Sequence, residues 1–165
     1  IPTAEVRRLQ PGIVVNRRNG GGGDYGDSEG KLPAKRFNGW FETCETCWPA
    51  GKWSYTEDWG WDSAPEVLEK LVRLRAWGCN LLANVGPKGD GSMPAQALIA
   101  WKEMADWMNH SRESVIGAGP GPFPEAVNAP VTTGLDEFTR HRYSRYRSPI
   151  SVGTSWATTD VETAS

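Results

Sequence analysis

Apolar positions along this chain fall into two kinds, short continuous runs and helically spaced faces, and the two kinds alternate. Ile13-Val14-Val15 is a continuous β-branched run ending in the polar Asn16-Arg17-Arg18. That is the pattern of a strand over 13–16, buried on both faces with polar groups at its C-terminal end. Asn80-Leu81-Leu82-Ala83-Asn84-Val85 predicts a second buried strand over 80–85. Between them Val67, Leu71 and Leu74, with Leu68 and Val72, mark one face of a helix expected over 64–77. Ser63 and Glu66 make a capping box at its start, Glu66–Lys70 and Glu69–Arg73 are favourably oriented i,i+4 pairs, and Gly78 is placed to stop it. Pro94 opens a second helix, expected over 94–109, with Ala97, Leu98, Trp101, Met104, Ala105 and Met108 at helical spacing. Strand, helix, strand, helix predicts a parallel α/β sheet or barrel.

Outside these units the pattern is weaker. Glu5-Val6-Arg7-Arg8-Leu9 reads as the end of a helix begun ahead of Ile1, with Gly12 as its stop. From Asn19 to Asp62, Gly20 to Gly23, Pro33, Gly39, Pro49 and Gly51 break any period, and only Trp53-Ser54-Tyr55 suggests a short strand. Loops of such length tend to be functional. Beyond Gly117 the chain becomes linker-like, with Gly119-Pro120-Gly121-Pro122, so a linker is expected over 118–133 and a disordered tail over 134–165.

Composition narrows the partners. The chain of 165 residues can build one sizeable core, yet a complete (β/α)₈ barrel needs about 250 residues. A net charge of −2 supplies no field for nucleic acid or an anionic membrane. No apolar run approaches the roughly 18 residues of a membrane span. The run Arg140 to Arg147 pairs arginines with tyrosines and could meet a polyanion, but its low-complexity setting favours a tail without a partner. Cys44, Cys47 and Cys79 lack the two-pair spacing of a zinc site, and Cys44-x-x-Cys47 is not at a helix start that would activate a redox dithiol. His110 and His141 have no companion at ligand spacing, and Gly86 to Gly91 lacks the Gly-Lys-Ser/Thr ending of a phosphate loop. No metal and no cofactor are expected.

In an α/β barrel the working groups lie at the C-terminal ends of strands and in the loops after them. That gathers Asn16, Arg17, Arg18 and the carboxylates Asp24, Asp27, Glu29 and Glu42 at one site, and Asn84 with the 86–91 loop at another. Carboxylates among Trp40, Trp48, Trp53, Tyr55, Trp59 and Trp61 suit a glycosidase, in which an acid protonates a leaving oxygen while aromatic faces hold a sugar ring. The plain alternative is a set of solvated loop carboxylates.

Several blocks together resemble the α-L-fucosidases of glycoside hydrolase family 29. They are Leu9-Gln10-Pro11-Gly12-Ile13-Val14-Val15-Asn16 with Arg18, Gly23-Asp24-Tyr25 with Glu29, Trp40-Phe41-Glu42-Thr43-Cys44, and Gly78-Cys79-Asn80-Leu81-Leu82-Ala83-Asn84-Val85-Gly86-Pro87 with Asp90-Gly91. They keep the family's order over residues 4 to about 117. The resemblance implies the C-terminal part of a (β/α)₈-like catalytic barrel over 1–117, from an enzyme that removes terminal α-L-fucose from glycans with retention of configuration. It implies a fucose-contacting arginine at Arg18, with Asn16 and Trp40 also binding substrate. The acid/base is Glu29 as first choice and Glu42 as second, the latter otherwise a structural or positioning carboxylate. A secreted, periplasmic or lysosomal-type compartment follows from the family as well.

The departures shape the expectation too. The family's nucleophilic Asp belongs to an earlier strand that is not recognised ahead of Ile13, so the isolated chain is expected to be inactive, and Cys79 replaces a family glycine. A noncatalytic carbohydrate-binding remnant and a Cys44/Cys47 dithiol protein are the readings that compete with a fucosidase.

Overall fold

Three parallel strands carry the polar groups singled out above, but only one of them is where the apolar runs predict it. The computed structural model describes residues 2–20, 22–47, 52–57, 60–121, 131–135 and 141–145. Helix α1 (Thr3–Leu9) leads through a turn at Gly12 into the 13–16 segment. Strands β1 (Gly26–Glu29), β2 (Phe41–Thr46) and β3 (Asn80–Asn84) then form one sheet in the order β1-β2-β3. Both pairings are parallel, with Asp27 opposite Glu42, Glu29 opposite Cys44, Glu42 opposite Asn80 and Thr46 opposite Asn84. Helix α2 (Ala64–Ala76) connects β2 to β3, and α3 (Ala95–Ser111) follows β3.

The 13–16 segment is not a ladder strand. It contributes one parallel bridge, Asn16 to Tyr25, and Val14 is 67% exposed because no described strand covers it. The short strand expected at Trp53 to Tyr55 is likewise absent from the described residues. β1 and β2 arise instead inside the stretch read as irregular. Their sequences, Gly26-Asp27-Ser28-Glu29 and Phe41-Glu42-Thr43-Cys44-Glu45-Thr46, carry one large apolar residue between them, so hydrophobic periodicity does not reveal them. Asp27, Glu29, Glu42 and Cys44 are therefore strand residues and not loop residues.

Side chains alternate across a strand, and the contacts show which face is which. Ser28 Oγ and Thr43 Oγ1 meet at 3.1 Å on the helix side, where Glu45 lies 3.9 Å from Lys70 of α2. Phe41, Leu74, Trp77 and Cys79 form the core there, with Leu32 and Leu81 packed on it. Each such buried apolar side chain contributes about 1.5–3 kcal/mol. Asp27, Glu29, Glu42, Cys44, Asn80, Leu82 and Asn84 share the other face by register. β3 is consequently not buried on both faces, for Leu82 is 49% exposed.

Helix α2 follows its sequence signals closely. Glu66 accepts both the Ser63 N–H and the Ser63 hydroxyl at 2.7 Å, and Glu69 takes Arg73 at 2.6 Å. Lys70 turns away from Glu66 to Asp62 at 2.7 Å and to the Thr46 carbonyl at 3.3 Å. Gly78, at φ 75°, ends the helix: its N–H reaches the Arg75 carbonyl, and Cys79 N–H reaches that of Leu74. This bond pair, with Cys79 packed on Leu74, is the Schellman arrangement. In α3 the face differs from expectation. Ala97, Ala100 and Ser111 are buried, whereas Leu98 is 53% and Trp101 37% exposed, because the small alanines are what meet the neighbouring structure.

A second sheet, antiparallel, joins β4 (Gly119–Pro120), β5 (Val131–Leu135) and β6 (His141–Arg145). Gly121 N–H bonds the Ala76 carbonyl at 2.9 Å and Thr132 Oγ1 bonds that of Ser114 at 2.9 Å, which fastens β4 to α2 and β5 to the turn after α3. The linker and tail composition did not foresee these strands, and most of the expected tail, 146–165, lies outside the described residues. No described helix is long and apolar enough to cross a membrane.

Candidate active site

The turn after Asn16 aims two consecutive arginines at β1. Asn16 Oδ1 accepts the Arg18 N–H at 3.2 Å and so caps a 3₁₀ turn over Arg17–Asn19. Asp24 holds the turn against the return strand by accepting the Val15 N–H at 2.8 Å and Arg7 Nη2 at 2.6 Å. The Val15 hydrogen bond, more than the neighbouring arginine, keeps its carboxyl below the ordinary aspartate range.

From that turn Arg17 Nε donates to Asp27 Oδ1 at 3.0 Å and its Nη2 to the Asp27 carbonyl at 2.7 Å. Arg18 Nε donates to Asp27 Oδ2 at 2.6 Å, its Nη1 to Glu29 Oε2 at 2.9 Å, and its Nη2 to the Ser28 carbonyl at 3.2 Å. Asp27 is buried, and its hydrogen bond from Arg18, reinforced by Arg17, holds its carboxyl below the usual range against the cost of burial. Cys44 sits beside this group. Burial pushes its thiol up, Arg18 opposes that, and Glu29 and Glu42 add to it.

The sequence candidates thus separate. Arg18 and Glu29 meet directly, and Asn16 supports the turn that brings Arg18 there. Glu42 lies opposite Asp27, one pleat nearer the N-terminal ends of the strands than the Glu29–Cys44 level. Trp40 immediately precedes β2, 77% exposed, with its carbonyl bonded to Gly26 N–H at 2.9 Å. Asp27 is the residue the sequence reading undervalued. Its signal is the two-residue spacing of Asp27 and Glu29 facing an Arg17-Arg18 pair, which only a strand would convert into one acidic face.

Above β3 the 52–57 segment folds across the strand ends. Asn84 Nδ2 donates to the Trp53 carbonyl at 2.8 Å, and Lys88 Nζ lies 5.9 Å from the Tyr55 ring centre. A Cβ on Gly86 would stand 2.5 Å from Tyr55 N, so only glycine admits this crossing. Trp48 and Trp59 lie outside the described residues. Cys47, next to Asp62, has its thiol pushed up to about 11 by burial, the reverse of what a redox dithiol requires.

The chain is 29% identical over 115 residues to the alpha-L-fucosidase of Dictyostelium discoideum, covering 66% of this chain and 25% of that protein. The structure matches alpha-L-fucosidase isoenzyme 1 from Paenibacillus thiaminolyticus with a TM-score of 0.71 at 23% identity, over 86% of this chain and 39% of that one. It matches a GH29 alpha-L-fucosidase from Bacteroides thetaiotaomicron with a TM-score of 0.73 at 22% identity, over 88% of this chain and 38% of that one. That second structure is of a covalent intermediate trapped with 2-fluoro-fucosyl fluoride in a glutamate-to-glutamine mutant. The chain spans a quarter to two fifths of the length of these relatives. With the Alpha-L-fucosidase family model matching residues 3–113, the chain belongs to the alpha-L-fucosidase family.

Proposed function

We propose that this chain supplies the acid/base half of a retaining α-L-fucosidase site, on strands that form part of a (β/α)₈ barrel over residues 1–117. The observation that carries the reading is the 2.9 Å contact between Arg18 and Glu29 on the open face of a parallel sheet. Arg18 is the residue the family resemblance assigns to fucose, so Glu29 stands where the sugar would be held. Glu29 is the last residue of β1, whereas Glu42 is the second of β2. Catalytic groups of such barrels sit at the C-terminal strand ends, which favours Glu29.

In the proposed reaction Glu29 as the acid protonates the glycosidic oxygen while the bond to fucose C1 breaks and an Asp carboxylate takes that carbon. Glu29, now a carboxylate, then removes a proton from the water that releases fucose, and two inversions retain configuration. The substrates are glycans with terminal α-L-fucose. In this reading the nucleophilic Asp comes from the family's earlier strand, outside the blocks that carry the resemblance.

The test is turnover of an aryl α-L-fucoside. The 165-residue chain alone is expected to show none, and joined to the family's nucleophile-bearing strands it is expected to show hydrolysis. Hydrolysis by the isolated chain contradicts the division of the two carboxylates. Fucose binding without hydrolysis in the joined protein supports the carbohydrate-binding remnant instead.

A further inference from the structure

We infer that Asp27 is the positioning residue of this site: it fixes the Arg18 guanidinium so that its outer edge faces Glu29 and the sugar position. The inference rests on the fucosidase reading for what Arg18 touches, but on geometry alone for what holds Arg18. An arginine side chain has several rotatable bonds and settles only where its planar fork is engaged on more than one edge. Here the inner edge is spent on Asp27 through Nε at 2.6 Å and on the Ser28 carbonyl through Nη2 at 3.2 Å. Nη1 reaches outward, to Glu29 at 2.9 Å. Asp27 is itself held on several sides. It is 8% exposed, and its other oxygen and its carbonyl are both taken by Arg17. Arg17 therefore braces Asp27, Asp27 braces Arg18, and Arg18 presents one donor edge to the open face. The short charge-assisted bond that Arg18 donates to a buried carboxylate is the strong link in that series.

Nuclear magnetic resonance of arginine Nε–H groups in the 165-residue chain reads this directly, with the two signals assigned from Arg17→Lys and Arg18→Lys. In Asp27→Asn the Arg18 Nε–H is expected to exchange with solvent at least about tenfold faster, as loss of a hydrogen bond to a charged group implies, while Glu29→Gln leaves it protected. Protection of Arg18 that survives Asp27→Asn, with only the Arg17 signal lost, overturns the inference and leaves Asp27 a structural partner of Arg17. Acid titration of the unsubstituted chain gives the same decision if Asp27→Asn does not fold. The Arg18 signal should then follow a protonation below the ordinary aspartate value of about 3.9, as the bond from Arg18 dictates, and an Arg18 signal that ignores it is the contrary result. In the joined protein, Asp27→Asn should raise KM for an aryl α-L-fucoside by about tenfold or more. Absence of turnover before any substitution counts against the fucosidase reading and not against the role of Asp27, which the Arg18 signal decides.

Discussion

Leu74→Ala removes the side chain that joins α2 to the rear of the functional sheet. Leu74 is 0% exposed and packs with Phe41, Trp77 and Cys79, with Leu32 and Leu81 against them. Phe41 opens β2 and Leu81 lies in β3, so the cluster fixes two strands to one helix. Truncating a fully buried leucine costs about 2–5 kcal/mol, depending on how far the neighbours close the cavity. Phe41 is stacked on Phe37 at 4.0 Å, and the bond from Cys79 N–H to the Leu74 carbonyl holds the backbone in place, so little closure is available. The loss should lie in the upper part, about 3–5 kcal/mol, a large share of the 5–15 kcal/mol of a typical domain. Urea denaturation followed by tryptophan fluorescence should show the midpoint falling by roughly 1–3 M with unchanged slope. Leu98→Ala, at a side chain 53% exposed on α3, serves as the control and should cost under about 0.5 kcal/mol. A loss below about 1 kcal/mol for Leu74→Ala would refute the reasoning that this cluster is jointly packed.

Two further outcomes follow from particular contacts. Gly86→Ala places a Cβ 2.5 Å from Tyr55 N and 2.8 Å from the Ser54 carbonyl carbon, so it should displace the 52–57 segment and raise proteolytic cleavage there while the α2 and β3 core holds. Cys47 should resist thiol reagents at neutral pH until denaturant is added, since burial pushes its thiol up to about 11. The unfolded thiol loses its proton near about 8.5 and the folded one later. Stability is therefore unaffected by this group below that value and falls as pH rises from there towards the folded value, and chemical denaturation across that range checks the sign.

The sequence was most legible where hydrophobicity decides the outcome. α2, with its cap at Ser63 and stop at Gly78, and the parallel β3 are legible because their apolar faces and end signals agree. β1 and β2 were not, because they lack apolar alternation: Asp27 of β1 is buried as an ion-pair partner of Arg17 and Arg18, and β2 lies paired between β1 and β3. Asp27 and Glu29 of β1 and Glu42 of β2 thereby moved from an irregular loop onto one face of the sheet. Arg18 and Glu29 were visible as candidates through the family resemblance, but no pattern in the chain states that Arg18 touches Glu29, or that Asp27 stands between the two arginines. In α3 the apolar residues are distributed around the helix; of the expected face Ala97 is buried, whereas Ala100, which is also buried, was not part of it.

The central claim is that Glu29 is the acid/base, and the measurement that tests it most directly is azide rescue. Glu29→Gln and Glu42→Gln are compared in a protein joining this chain to the nucleophile-bearing strands. Because Glu29 is half exposed, losing its pair with Arg18 should cost little stability, and the kinetic comparison stays clean. Glu29→Gln should lower turnover of poor leaving groups by about a hundredfold to ten-thousandfold, and that of activated aryl fucosides less. Azide should restore part of the second step, since it attacks the fucosyl-enzyme without a general base. Glu42→Gln should change KM or stability without leaving-group dependence and without rescue. Rescue by azide in Glu42→Gln and none in Glu29→Gln is the result that would contradict the account and move the acid/base to Glu42.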